Sequence, residues 1–231
     1  MAKHKKIQLP LEALYGIAAL IMAIGVSCIA RSDLGYSVIT APVYLVYRKL
    51  SAYITFGTAE YLFQGVLLIL TCLVTWRVKW TYLLTFVYAV LYGFLFDGCL
   101  WLVVLIPAGD GLLARSIFFV IGTLIVSFGV AMFLRTYLPP AAYENFVREV
   151  SVRYGFPQGT VKWVYDGISF ALALVLSFVL FGNLEGIGIG TVISVLCNAP
   201  LISLAAKILD RTVDTYVAFP RLEAFFRGNE G

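Results

Sequence analysis

Residues 17–31 (IAALIMAIGVSCIAR) return as residues 121–135 (IGTLIVSFGVAMFLR), with Ile17/Ile121, Leu20/Leu124, Ile21/Ile125, Gly25/Gly129, Val26/Val130 and Arg31/Arg135 identical. A second pair follows each copy, GTAEYLFQG from Gly57 and GTVKWVYDG from Gly159. Each copy holds three apolar stretches long enough to cross a bilayer, and an odd number of crossings turns the second copy upside down relative to the first. Inverted repeats of this kind are a ground plan of alternating-access transport.

Hydrophobic side chains make up 61% of the 231 residues and charged ones 13%, with a mean hydropathy of +0.92. That is more apolar surface than a soluble core of this length can hide. The expected fold class is therefore an all-α integral membrane protein with six transmembrane helices. Crossing about 30 Å of hydrocarbon takes roughly 20 residues, and the runs Leu11–Ala30, Gly57–Trp76, Tyr82–Ile106, Leu113–Leu134, Val161–Phe181 and Gly186–Ile208 meet that need. Residues 1–231 form one membrane domain, with the repeats at 1–108 and 109–231 meeting at the turn-rich stretch from Pro107 to Gly111. The first apolar run is full length and has no small-residue cleavage site after it, so it is expected to stay as the first span.

Four of the 17 Lys and Arg residues, Arg31, Arg48, Lys49 and Arg115, fall on one set of span ends, and the rest fall on the other. The positive-inside rule then places both termini in the cytoplasm and the protein in the cell membrane. The net charge of +4 reflects this topology, because no basic stripe with interleaved aromatics points to nucleic acid. Cys28, Cys72, Cys99 and Cys197 each lie alone in an apolar span, and His4 is the one histidine. Neither a metal site nor a disulfide framework is expected. With no nucleophile motif either, the chain is read as a non-enzyme without cofactor.

Ionisable and polar residues at membrane depth demand a reason. Asp97 shares a face with the small residues Ala89 and Gly93, so it points into the bundle, either as a functional group or as a structural hydrogen bond to a neighbouring helix. Asp166 is one turn beyond Lys162, a spacing that allows a local ion pair. It also matches Gln64 in the repeat, as Lys162 matches Glu60, so the second and fifth spans are expected to border a common polar cavity. Thr191, Ser194 and Asn198 form a stripe before Pro200 in the sixth span, readable as a packing seam or as cavity lining. Thr58 and Thr160 open matching helices as N-caps, or as positive helix ends facing an anionic group. Arg31 and Arg135 end matching spans and are expected to snorkel to opposite interfaces. The substrate-binding set is therefore Gln64, Asp97, Asp166, Asn198, Thr191, Thr58 and Thr160.

Each repeat has a linker of about 25 residues between its first and second spans, too long for a turn and too short for another crossing. In the second, Tyr143, Phe146, Val147, Val150 and Tyr154 share one helical face, the pattern of an amphipathic helix lying on the cytoplasmic interface. The first, from Gly35, is more apolar, carries Pro42, and is expected to dip partway into the bilayer.

The strings DLGYSVITAPVYLV, FGTAEYLFQG, GFLFDG and GIGIGTVISVLCNAPLI resemble the bacterial YczE-like membrane proteins, which are related to the YitT-like group. That resemblance covers most of the span region and implies a multi-pass membrane protein with a role in transport. Two readings of function follow. The first is a small-molecule transporter with a central polar cavity, proton coupled through Asp97 or Asp166. The second is a substrate-binding or accessory membrane subunit of a multi-component system. Expected partners are the lipid bilayer and a small-molecule substrate, with a second copy or a partner subunit left open.

Overall fold

The computed structural model describes residues 7–107, 109, 111–138 and 141–228. Lys3, His4, Lys5 and Lys6 of the basic leader, and Ala108 and Asp110 of the repeat junction, lie outside the described residues. In chain order the elements are β1 (Ile7–Pro10), α1 (Leu11–Ser32), α2 (Thr40–Leu50), α3 (Phe56–Thr75), α4 (Trp80–Val104), α5 (Leu112–Phe133), α6 (Ala142–Tyr154), α7 (Gln158–Phe181), α8 (Ile189–Thr212), β2 (Val213–Tyr216) and α9 (Pro220–Gly228). Six of them, α1, α3, α4, α5, α7 and α8, are long and apolar enough to cross a membrane, and they match the expected spans to within a few residues. This is a multi-pass helical membrane architecture. The parallel pairing of β1 with β2 was not expected, because four-residue strands are too short to show alternation. It joins the two ends of the described chain at one end of the bundle, called here the termini end.

Helix boundaries follow local chemistry. Thr55 caps α3 by accepting from the Thr58 amide at 3.1 Å. Gly155 and Gly182 close α6 and α7 in the left-handed region, with φ of 71° and 73°, where a residue without a β-carbon satisfies the last carbonyls at no steric cost.

The centre of the bundle is the crossing of α1 and α5. A β-carbon built on Gly25 would lie 2.7 Å from Val126 Cγ2, 2.8 Å from the Val126 amide nitrogen and 3.0 Å from the Gly122 carbonyl. One built on its repeat mate Gly129 would lie 2.5 Å from Met22 Cγ, 3.1 Å from the Met22 amide nitrogen and 3.3 Å from the Ala18 carbonyl. Rising numbers in α1 meet falling numbers in α5, so the helices run antiparallel. Each glycine also meets the repeat mates of the residues that surround the other. Small residues here let the backbones approach closely, the usual basis of helix association in lipid.

The other helices are arranged around this pair. α4 packs on α1 and α8 packs on α5, while α3 packs on α4. The linker helices cross over between the repeats: α2 packs on α7, and α6 packs on α3. Both linker helices are half-spans of about 16 and 20 Å. The Ala142 amide at the start of α6 donates to Gln64 Oε1, midway along α3, at 3.4 Å, and the Tyr154 hydroxyl at its end donates to the Val74 carbonyl at 2.8 Å. α6 therefore runs down the second half of α3, with its N-terminus at mid-depth. The expectation of a helix lying on the interface is corrected. Its apolar face covers protein, a distinction that amphipathicity alone does not make. α2 has the matching placement, with Ala41 in one apolar cluster with Ala173 of α7 and Lys49 Nζ donating to the Leu180 carbonyl at 3.1 Å.

The arrangement is not fully symmetric. Gly57 and Gly65 of α3 sit tight on α4, with built β-carbons 2.0 Å from the Gly93 carbonyl and 3.0 Å from the Phe86 ring. Their mates on α7, Gly159 and Gly167, have nothing within 4 Å. α7 stands away from α8 and is held through α2 and α6. The two helices are accordingly the least buried spans, with 22% and 17% of their apolar windows buried against 33% for both α3 and α4.

Candidate functional site

Most polar side chains in the spans satisfy themselves. Ser27, Thr71, Thr75, Thr85, Thr123 and Ser127 are buried, and each hydroxyl donates to the carbonyl four residues back at 2.7–3.0 Å. This is how hydroxyls are accommodated inside helices without a partner helix. They are structural. A different set reaches between helices at the centre of the bundle.

Gln64, 4% exposed, is the hinge of that set. Its amide nitrogen donates to Glu60 Oε1 at 3.2 Å, one turn earlier on α3, and its oxygen accepts from the Ala142 amide of α6. Glu144, in the first turn of α6, accepts from the Tyr143 hydroxyl at 2.9 Å. A carboxylate in a first helical turn is favoured by the helix dipole. Gln64 thus joins Glu60 to the amide that opens α6, two residues before Glu144, so the two carboxylates flank one junction, with Tyr88 of α4 within electrostatic reach of both.

Two tyrosine walls flank them. Tyr15, Tyr88 and Tyr92 follow one another along α1 and α4, with Tyr15 tilted against Tyr88 at 5.1 Å between ring centroids and Tyr88 stacked on Tyr92 at 5.9 Å. Tyr143 and Tyr165 stack on the α6–α7 side at 6.5 Å. Lys162 Nζ lies 5.7 Å from the Tyr143 ring centre and 3.5 Å from Asp166 Oδ2. Glu60, Tyr88, Tyr143 and Glu144 all keep partial exposure, so this group is not sealed in a filled core.

The expected site residues fall in several places. Gln64 and Asp166 belong to this central group. Asp97 does not bond to it: its Oδ2 accepts from Thr55 at 2.5 Å and its Oδ1 from the Gly57 amide at 2.7 Å, so it fastens the first turn of α3 to α4. Thr58 belongs to that same cap, with its hydroxyl 2.8 Å from that of Thr55. Thr191 is buried beside the Gly188 loop, whose amide it accepts at 3.2 Å. Thr160 is exposed near the start of α7, at the termini end, and Asn198 is half-buried on α8. Thr58 and Thr160 each sit three residues beyond the capping residue, Thr55 or Pro157. Arg135 turns to Asp210 at 2.5 Å and to the Ala206 carbonyl at 2.6 Å, tying α5 to α8.

Two charged members of the central group, Glu60 and Glu144, were absent from the expected set. The signal for Glu60 was present in its repeat pairing with Lys162 and its one-turn spacing from Gln64. Glu144 was masked by neighbouring charges that made the whole segment look superficial.

Asp97→Ala removes both acceptors from the first turn of α3. Hydrogen bonds to a charged group contribute about 1.5–3 kcal/mol each, so a loss of about 3 kcal/mol is expected, read as a lower thermal unfolding midpoint in detergent. Asp97→Asn should recover part of it by keeping one acceptor oxygen.

A family model described as a family of unknown function (DUF6198) matches residues 11–207. The chain belongs to that family. The match runs from the start of α1 into α8, so it takes in the central group and both half-spans and leaves out β1, β2 and α9. The chain is also 30% identical over 200 residues to a Bacillus subtilis (strain 168) protein named "Uncharacterized protein YyaS", covering 85% of this chain and 92% of that one. No solved structure matches the chain.

Proposed function

We propose that the protein is a small-molecule membrane transporter made of two inverted three-helix repeats, with its substrate held in the central crevice beside Glu60, Gln64 and Glu144. The observation that carries the reading is the unequal setting of matched glycines. Gly57 and Gly65 are pressed on α4, while Gly159 and Gly167 face open space beside a detached α8. In the alternate arrangement the roles exchange: α7 closes on α8, α3 leaves α4, and the crevice changes the side to which it opens. The reciprocal packing of Gly25 and Gly129 supports the inverted relation, and the two half-spans ending at mid-depth suit a substrate site there. The motif resemblance to the YczE-like group is in line with this reading. Proton coupling passes from Asp97 to Glu60 and Glu144, because Asp97 is held by two donors on α3 whereas Gln64 is the one described donor to Glu60.

Disulfide trapping tests the exchange. Moving Gly93 on by the 104 residues that separate Ile17 from Ile121 leads to Cys197, which is exposed on α8. In a chain whose other cysteines are replaced by serine, Gly159→Cys is expected to cross-link to Cys197 under mild oxidation. The closed form should speed amide hydrogen exchange in the first turn of α3. A cross-link that leaves α3 exchange unchanged, or no cross-link at all, would count against alternation.

A further inference from the structure

We propose that the central crevice binds a small organic cation, an ammonium bearing alkyl or aryl groups, between Glu60, Glu144 and the tyrosine walls. The proposal rests on the crevice assigned above and adds the class of its ligand. Three carboxylates, Glu60, Glu144 and Asp166, share this region with one ammonium, Lys162, and that ammonium is held by Asp166 at 3.5 Å. Glu144 lies within electrostatic reach of Lys162 but bonds to a neutral phenol, and the described hydrogen bond to Glu60 comes from a neutral amide. An ionised carboxylate without a matching cation inside a bilayer is costly; burial favours the protonated form, and a cationic ligand is what stabilises the ionised one.

A second observation points to a ligand independently. Tyr165 is 9% exposed, its hydroxyl makes no hydrogen bond of normal geometry although Ser169 sits one turn on along α7, and it lies within electrostatic reach of Glu60 and Asp166. An orphan hydroxyl beside two carboxylates is the sort of group a bound molecule satisfies. The aromatic faces select the kind of cation. Tyr143 already carries the Lys162 ammonium 5.7 Å from its ring centre, so this wall accepts cations on its face, and quaternary ammonium groups are recognised in the same way. A metal ion fits poorly, because no group of three or more His, Cys, Asp or Glu among the described residues is placed to hold one. An anion would meet the excess carboxylates.

The test uses the purified full chain in detergent and reads the thermal unfolding midpoint against choline and benzyltrimethylammonium. The neutral choline isostere 3,3-dimethylbutan-1-ol and the anion 3,3-dimethylbutanoate serve as comparisons. At least one cation should raise the midpoint in a saturable way, while the neutral and anionic probes should not. Glu60→Gln and Glu144→Gln should each raise the half-saturating concentration by about tenfold or more, as expected for loss of a charge interaction at short range. Tyr143→Leu, which keeps both carboxylates, should weaken benzyltrimethylammonium as well and covers the case in which a Gln variant does not fold. Equal stabilisation by the neutral isostere, cation responses unchanged in the variants, or no response to either cation overturns the proposal. Liposome flux separates it from the transport reading: a cation that binds but is not moved removes transport and keeps the site, whereas flux restricted to neutral or anionic solutes does the reverse.

Discussion

Gly57→Val is expected to be far more damaging than the same change at its repeat mate, Gly159→Val. A β-carbon at Gly57 would stand 2.0 Å from the Gly93 carbonyl oxygen and 2.7 Å from the Asp97 carboxyl carbon. The first is backbone of α4, and the second belongs to a side chain fastened to Thr55 and to the Gly57 amide itself. Relief therefore requires α3 to move off α4. Overpacking costs about 1–3 kcal/mol, and strained or broken Asp97 bonds add about 1.5–3 kcal/mol each, so a loss of about 4 kcal/mol or more is expected. Gly159 has open space around it, so its substitution should leave the stability within about 0.5 kcal/mol of the parent. If alternation operates, Gly159→Val nevertheless slows flux by obstructing the close approach of α7 to α8. Equal loss of stability at both positions would show that the asymmetry between α3–α4 and α7–α8 is not a property of the folded protein.

Gly25→Leu and Gly129→Leu are expected to destabilise the chain by similar amounts. Each leucine would push against backbone atoms of the opposite helix, Val126 N and the Gly122 carbonyl in one case and Met22 N and the Ala18 carbonyl in the other. The α1–α5 crossing carries α4 on one side and α8 on the other, so separating it loosens both repeats at once. A loss of about 3 kcal/mol is expected for either, at the upper end of overpacking costs. Gly16→Leu, where nothing lies within 4 Å, is the matched control in the same helix. Thermal unfolding in detergent measures all three. A large difference between Gly25→Leu and Gly129→Leu would break the reciprocity on which the proposed inverted arrangement depends.

The six spans were legible because bilayer crossing demands long apolar runs, and their ends needed only small adjustment. The glycines of the central crossing were legible too, since Gly25 and Gly129 stand out in the self-alignment. Partners were not. Asp97 and Gln64 both read as polar residues inside spans, yet one fastens the first turn of α3 to α4 and the other joins α3 to α6. Tyr143 and the stripe it belongs to were read at the interface because an apolar stripe looks the same whether it faces lipid headgroups or another helix.

Composition and hydropathy determined by themselves that this chain is a multi-helix, membrane-type protein with six segments long and apolar enough to span a bilayer, because those properties follow from segment length and from solvation of single segments. Only the tertiary structure decided that α6 descends along α3, that Gln64 links Glu60 to the start of α6 beside Glu144, and that α7 is parted from α8. Those facts depend on which distant residues meet, and identical local patterns, such as the glycines of α3 and α7, are compatible with opposite surroundings.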